Sequence, residues 1–247
     1  MAYKSGNPAL NKNTFNNLQI ATGSDVMSLD GVVGKSLILF SLCVGFGIIG
    51  WRLAAQQSEM LGVYVMGSIL GAFIIALITI FKKTVSPFTA PLYAVLEGFV
   101  LGAISQIFEA EFAGIVLQAL LLTGGIFLTM LFLYLFRIIR ATENFKLGVV
   151  SATGGIALYY IANLIIGFFG RDLPLINSNS GWGIGFTVLV IIVAALNLVV
   201  DFDFIEQGVL KKSPKYMEWY SSFGLLVTVV WLYLEILRLL AKARSRN

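Results

Sequence analysis

The chain has 247 residues, 58% of them hydrophobic and 12% charged, with a net charge of +4 and a mean hydropathy of +0.88. Soluble chains carry about 25% charged residues, so this composition excludes an ordinary soluble domain. The deficit spans almost the whole length, which predicts a polytopic membrane protein with no room for a second globular domain. No basic patch is interleaved with exposed aromatics, so nucleic acid is set aside as a partner, and the lysines and arginines are better read through their distribution among loops.

The single cysteine, Cys43, lies in an apolar run, so no intrachain disulfide is possible. Histidine is absent. That removes Ser-His and Cys-His nucleophile pairs and imidazole metal sites. Any response between about pH 5 and 8 then falls to carboxylates, because histidine is the usual switch there.

Residues 1–31 are polar, rich in Asn, Ser and Gly, and carry Lys4 and Lys12. They predict a cytoplasmic arm and show no signal-peptide pattern. Seven apolar runs follow, at 33–51, 61–81, 90–108, 112–136, 147–169, 182–203 and 219–240. Each is near the ~20 residues that cross ~30 Å of hydrocarbon. The expected fold is all-α: a polytopic seven-transmembrane-helix bundle over 32–241, followed by a short basic tail at 242–247.

With the amino terminus in the cytoplasm, the arm and inner loops hold Lys4, Lys12, Lys35, Lys82, Lys83, Arg137, Arg140, Lys146, Lys211, Lys212 and Lys215, whereas the outer loops hold Arg52 and Arg171. That is a clear positive-inside bias. The tail, with Lys242, Arg244 and Arg246, disagrees, because seven full spans place it outside. Either the earlier loops dominate or the seventh run re-enters; seven full spans is the expectation. Gly67-x-x-x-Gly71, Gly98-x-x-x-Gly102 and Gly181-x-x-x-Gly185 have the spacing that lets helices approach closely in lipid. Trp51, Trp182 and Trp219 fall at span ends, as interfacial aromatics should.

Charged or polar residues inside these spans are few and, being costly in hydrocarbon, are the functional candidates. Glu97 lies near the middle of the third run with no base nearby in sequence. It must be protonated, paired across helices, or facing a wet cavity. Asn163 is in the fifth run. Asn197 and Asp201 share one face of the sixth, and Asp203 and Glu206 share another. Glu206 reads as a headgroup-zone acid. Glu235, in the seventh run, is followed by Arg238 three residues on, the spacing of a structural pair. Asn163 and Asn197 have the character of interhelical hydrogen-bonding residues.

An enzyme is not expected. A rhomboid-type serine protease needs histidine, no Gly-x-Gly-Asp setting for an intramembrane aspartyl protease is present, and Asp-x-Asp at 201–203 is weak by itself. No phosphate loop occurs either.

The order of pieces resembles the bacterial branch of the transmembrane Bax inhibitor motif family over most of the chain. It runs from Asn7-Pro8 through PLYAVLEGFVLG to LVVDFDFIEQGV and FGLLVTVVWLYLEILRLL. Phe202-Asp203 matches the family's Tyr/Phe-Asp pair on the sixth helix. Leu232-Tyr233-Leu234-Glu235 matches its Leu-Tyr-Leu-Asp on the seventh, with Glu in place of Asp. The resemblance implies a bundle with the last helix central and a pH-sensitive calcium leak across a bacterial cytoplasmic (inner) membrane. Ca²⁺ would be the permeant ion, held transiently near Asp203 and Glu235, with no cofactor and no permanent metal site.

In that picture two carboxylates titrate as a pair, and their oxygens suit a hard cation. The span boundaries oppose this pairing, since Glu235 falls about 16 residues, roughly 24 Å, beyond the inner end of its helix. Asp201 with Glu97 is the other candidate pair. The expected site residues are Asp201, Asp203, Glu235 and Glu97, supported by Asn197, Asn163 and Arg238. The alternative function is a non-conducting regulator that binds other membrane proteins, such as a membrane protease.

Overall fold

The computed structural model describes residues 26–246 except 168, 170–172, 174–177 and 179. Most of the arm, including Asn7-Pro8, and Arg171, Asp172 and Pro174 of the polar loop lie outside the described residues. Among those described, seven long helices follow one another: α1 (Leu29–Ala55), α2 (Leu61–Phe81), α3 (Ser86–Glu111), α4 (Ile115–Leu135), α5 (Glu143–Gly167), α6 (Gly181–Leu210) and α7 (Tyr216–Arg244). A single 3₁₀ turn, Lys83–Val85, leads into α3. All seven are long and apolar enough to cross a membrane. This is the all-α seven-helix bundle expected from the apolar runs, and the chain is an integral membrane protein.

The starts of three of these helices, α1, α4 and α6, are fixed by side-chain acceptors. Ser28 and Ser180 cap α1 and α6, their side chains accepting from the backbone N–H of Gly31 and Gly183. The Glu109 carboxylate accepts from the N–H groups of Gly114 (2.6 Å) and Val116 (3.0 Å), supplying the start of α4 with the acceptor it lacks. Several helices run past their apolar cores. The sixth apolar run ends at 203 but α6 continues to Leu210, and α7 begins at Tyr216 rather than 219. Hydropathy marks where hydrocarbon begins and ends; backbone hydrogen bonding carries the helix on into the headgroup zone.

Helix α7 is the axis of the bundle. It packs on α1, α3, α4 and α6. In its most apolar window 56% of residues are buried, against 11% in α2 and α5. It runs the full length of the bundle, so the tail lies at the end opposite the start of α1. Two of the tail cations that disagreed with the loop charges are held by the fold. Buried Lys242 donates to the Gly183 carbonyl (3.2 Å) and to Thr187 Oγ1 (3.0 Å), and Arg244 donates to the Ala113 carbonyl (2.8 Å) and Gln118 Oε1 (3.0 Å).

The closest helix pair is α1 with α3. A Cβ on Gly98 would overlap the Cys43 backbone, and one on Gly102 would overlap the Gly47 backbone. Of the three small-residue motifs only Gly98-x-x-x-Gly102 is a backbone-to-backbone seam. Added Cβ atoms at Gly67, Gly181 and Gly185 meet nothing within 4 Å. Overpacking ordinarily destabilises by about 1–3 kcal/mol when side chains can shift, and here the obstacle is backbone. Gly102→Leu is therefore expected to abolish the monodisperse folded peak in size-exclusion chromatography, while Gly67→Leu leaves it intact. Equal profiles for the two variants would refute the seam.

Candidate functional site

Positions are described from the amino-terminal face, where α1, α3, α5 and α7 begin, towards the far face. At 1.5 Å per residue, Asp203 lies about 10 Å in, counted from the end of α6, whereas Glu235 lies about 28 Å in, counted from the start of α7. Asp203 and Glu235 are therefore not neighbours, and no shared site for a cation forms between them. The reason is the one the span lengths supplied: an antiparallel hairpin joins residues equidistant from its turn, and α7 starts early rather than late. Asp201 and Glu97 do not meet either. The central helix α7 stands between α6 and α3, and Glu97 has Tyr93 of its own helix and Cys43 of α1 as neighbours.

Most embedded carboxylates have cationic partners. Asp203 receives Lys146 of α5 at 2.6 Å. Glu206, half-buried, accepts from Arg137 at 2.6 Å and from the Tyr134 hydroxyl. Glu235 is buried and accepts from Arg238 (2.8 and 3.0 Å) and Tyr160 (2.8 Å). The i,i+3 pair legible in the sequence is thus formed, with a tyrosine from α5 added to it. Glu218, fully buried, pairs with Lys35 and accepts from the N–H (2.9 Å) and hydroxyl (3.0 Å) of Ser28. Sequence reading passed over Glu218 because the seventh run appeared to start just after it.

Asp201 differs. It lies about 14 Å in from the amino-terminal face, counted from Leu210 at the carboxy-terminal end of α6, and has Thr228 of α7 as its hydrogen-bonding neighbour. Its Oδ2 is buried without any hydrogen-bond partner. Among the described residues it has no ion pair. Asn197, one turn away, donates to Thr153 Oγ1 of α5 (2.8 Å) and to the Val193 carbonyl (2.9 Å). Asn163, near the far end of α5, accepts from the Leu173 N–H (2.9 Å) and so serves the loop rather than the interior.

Taken by depth, these groups form a polar track along α5, α6 and α7. At the amino-terminal face a cavity of roughly 440 Å³ is lined by Arg137, Arg140, Ala141, Thr142 and Asp203. Beyond it come the Lys146–Asp203 pair, then Asp201 with Thr228 and Asn197 with Thr153. Next, an apolar cluster of Ile156, Val190 and Val193, with Phe186 and Trp231 against it, interrupts the track. At the level of that cluster Tyr160, which packs against it, holds Glu235 and Arg238, and beyond them lie Thr187 and Lys242. Such an arrangement offers oxygen ligands at mid-depth behind charged and apolar closures. Among the described residues no group of three or more His, Cys, Asp or Glu side chains could hold a metal ion.

A family model described as Bax inhibitor 1 like matches residues 7–245. No curated protein and no solved structure matches the chain.

Proposed function

The chain belongs to the Bax inhibitor 1 like family, and on that premise we propose that it is a non-enzymatic, pH-sensitive cation leak through which Ca²⁺ passes along the α5–α6–α7 track. The observation that carries this is the buried, unpartnered Oδ2 of Asp201 at mid-depth. An intramembrane carboxylate without a counter-ion is retained for a reason other than packing. When ionised, Asp201 presents oxygen to a hard cation beside the Thr228 hydroxyl and the Asn197 side chain; when protonated, it presents none of that charge. The titratable groups facing this stretch are Asp203 and Lys146, bound to each other, and Glu206, Tyr134 and Arg137 beyond them. Conduction therefore increases with pH as Asp201 loses its proton.

The test is calcium flux into dye-loaded liposomes containing the purified protein, stepped from about pH 5 to pH 8. Parent flux is expected to rise with pH and Asp201→Asn to flatten that dependence. Glu235→Gln, which changes a satisfied pair, keeps it. Flux equal to that of protein-free liposomes at every pH would remove the leak. It would favour the second reading, a non-conducting regulator of other membrane proteins such as a membrane protease. The satisfied pairs at Asp203, Glu206, Glu218 and Glu235 support that alternative.

The proposed setting is a bacterial cytoplasmic membrane with the amino-terminal face in the cytoplasm. Lys82, Lys83, Arg137, Arg140, Lys211, Lys212 and Lys215 crowd the connections on that face. Cys43 is the only cysteine and is buried, so a Cys43→Ala background is suited to accessibility labelling. Lys82→Cys is expected to react with a membrane-impermeant maleimide only in inside-out vesicles, and Glu59→Cys only in right-side-out ones. The reverse pattern would invert the topology.

A further inference from the structure

On the other side of α7 from the polar track, α1, α3, α4 and α7 leave an open groove of roughly 680 Å³ whose wall is almost wholly apolar. Gly47, Gly98, Gly102 and Gly124 all border it. The first three belong to the α1–α3 seam; at Gly124, where an added Cβ would meet nothing within 4 Å, missing side-chain volume opens the groove on its α4 wall. Its depth is informative. From Arg52, at its rim near the far end of α1, to Phe40, its deepest point on that helix, is twelve residues, about 18 Å. One leaflet of a ~30 Å hydrocarbon core is about 15 Å thick. The groove therefore traverses one leaflet and stops.

A spanning helix from a second protein or a second copy would need an apolar face of the full thickness, whereas a single acyl chain needs this much and no more. The rim supplies the other half of a lipid. Arg52 is exposed and makes no ion pair among the described residues, and Trp51 beside it is an interfacial aromatic. A guanidinium is suited to bidentate binding of a phosphate.

We infer that this groove holds a resident anionic phospholipid of the far-face leaflet, one acyl chain lying between α1 and α4 against α7 and its phosphate on Arg52. The chain touches Leu226, Val230 and Tyr233, whereas Thr228, Trp231 and Glu235 of the same helix face the polar track. The lipid therefore buttresses the central helix without entering the proposed cation route, and its presence is independent of whether the protein conducts.

The test is native mass spectrometry of the full-length protein, delipidated in detergent and then titrated with phosphatidylglycerol or phosphatidylcholine. The parent is expected to take up one phosphatidylglycerol at a concentration about tenfold below that needed for phosphatidylcholine, whose phosphate is offset by its own choline cation and so is held less strongly by Arg52; tenfold corresponds to about 1.4 kcal/mol. Arg52→Gln should bind both equally. Gly124→Phe fills the groove where an added Cβ meets nothing within 4 Å, and it should lose the single adduct; Leu120→Trp, on the same wall, is the second blocking variant. Equal adducts on the parent and both blocking variants would overturn the site. So would a parent that binds no lipid, or one that appears as a lipid-free dimer with a second copy in the groove.

Discussion

Lys35→Met is expected to destabilise the protein by about 3–5 kcal/mol, the range for breaking a buried ion pair from one side. The Glu218 carboxylate that it would strand is fully buried. One oxygen faces Lys35, and the other accepts both the N–H and the hydroxyl of Ser28. The same hydroxyl accepts the Gly31 N–H that opens α1 (3.1 Å), so the pair fastens the first helix to the start of the last. Gly31 is needed there because a Cβ would overlap the Glu218 carboxylate. Without the lysine, the two serine donors and the positive end of α1 compensate only part of the charge. Thermal unfolding in detergent measures the loss. Lys35→Met/Glu218→Gln, which removes the charge with its partner, should recover most of it. A single variant as stable as the parent would show that water reaches Glu218.

The architecture was largely legible because it depends on local quantities. Apolar runs of about the right length specify spans wherever the chain has no other way to satisfy its backbone in lipid. The motif at 98–102 could be read as a close contact, but its difference from those at 67–71 and 181–185 could not. Spacing says that two small residues share a face; the packing partner decides whether that face turns inward. Helix ends were less legible, since Leu210 and Arg244 lie in headgroup-zone extensions that hydropathy does not register.

The candidate site followed the same division. Glu235 with Arg238 is an i,i+3 pair and could be read directly. Lys146 with Asp203 and Lys35 with Glu218 join residues 57 and 183 positions apart, so no window could reveal them. Asp201 is a candidate from its place in the sixth run. That its Oδ2 is left without a hydrogen-bond partner, while Asn197 one turn away is engaged by Thr153, depends on packing that no sequence window shows. The family motif places its two acidic positions on α6 and α7. Their register, set by the five-residue connection 211–215, keeps Asp203 and Glu235 apart.

That register makes α5 the element to loosen. Among the described helices α5 packs principally on α6, and polar ties run along its length: Lys146 to Asp203, Thr153 to Asn197 and Tyr160 to Glu235. In the proposed leak the first of these stands between the amino-terminal cavity and Asp201. A hydrogen bond to a charged group is worth about 1.5–3 kcal/mol, and each 1.36 kcal/mol is a factor of ten. If opening breaks the Lys146–Asp203 contact, Lys146→Met increases calcium flux about 10–100-fold at pH 7, and Lys146→Met/Asp201→Asn returns it to background. Lys35→Met, which loosens α1 instead, supplies the control for general instability, and its flux should stay near that of the parent. Flux unchanged in Lys146→Met would place the closure at the Ile156–Val190–Val193 cluster; flux raised equally in Lys35→Met would mean that the bundle leaks when weakened anywhere. Only an increase specific to Lys146 and dependent on Asp201 ties the clamp and the buried carboxylate into one route.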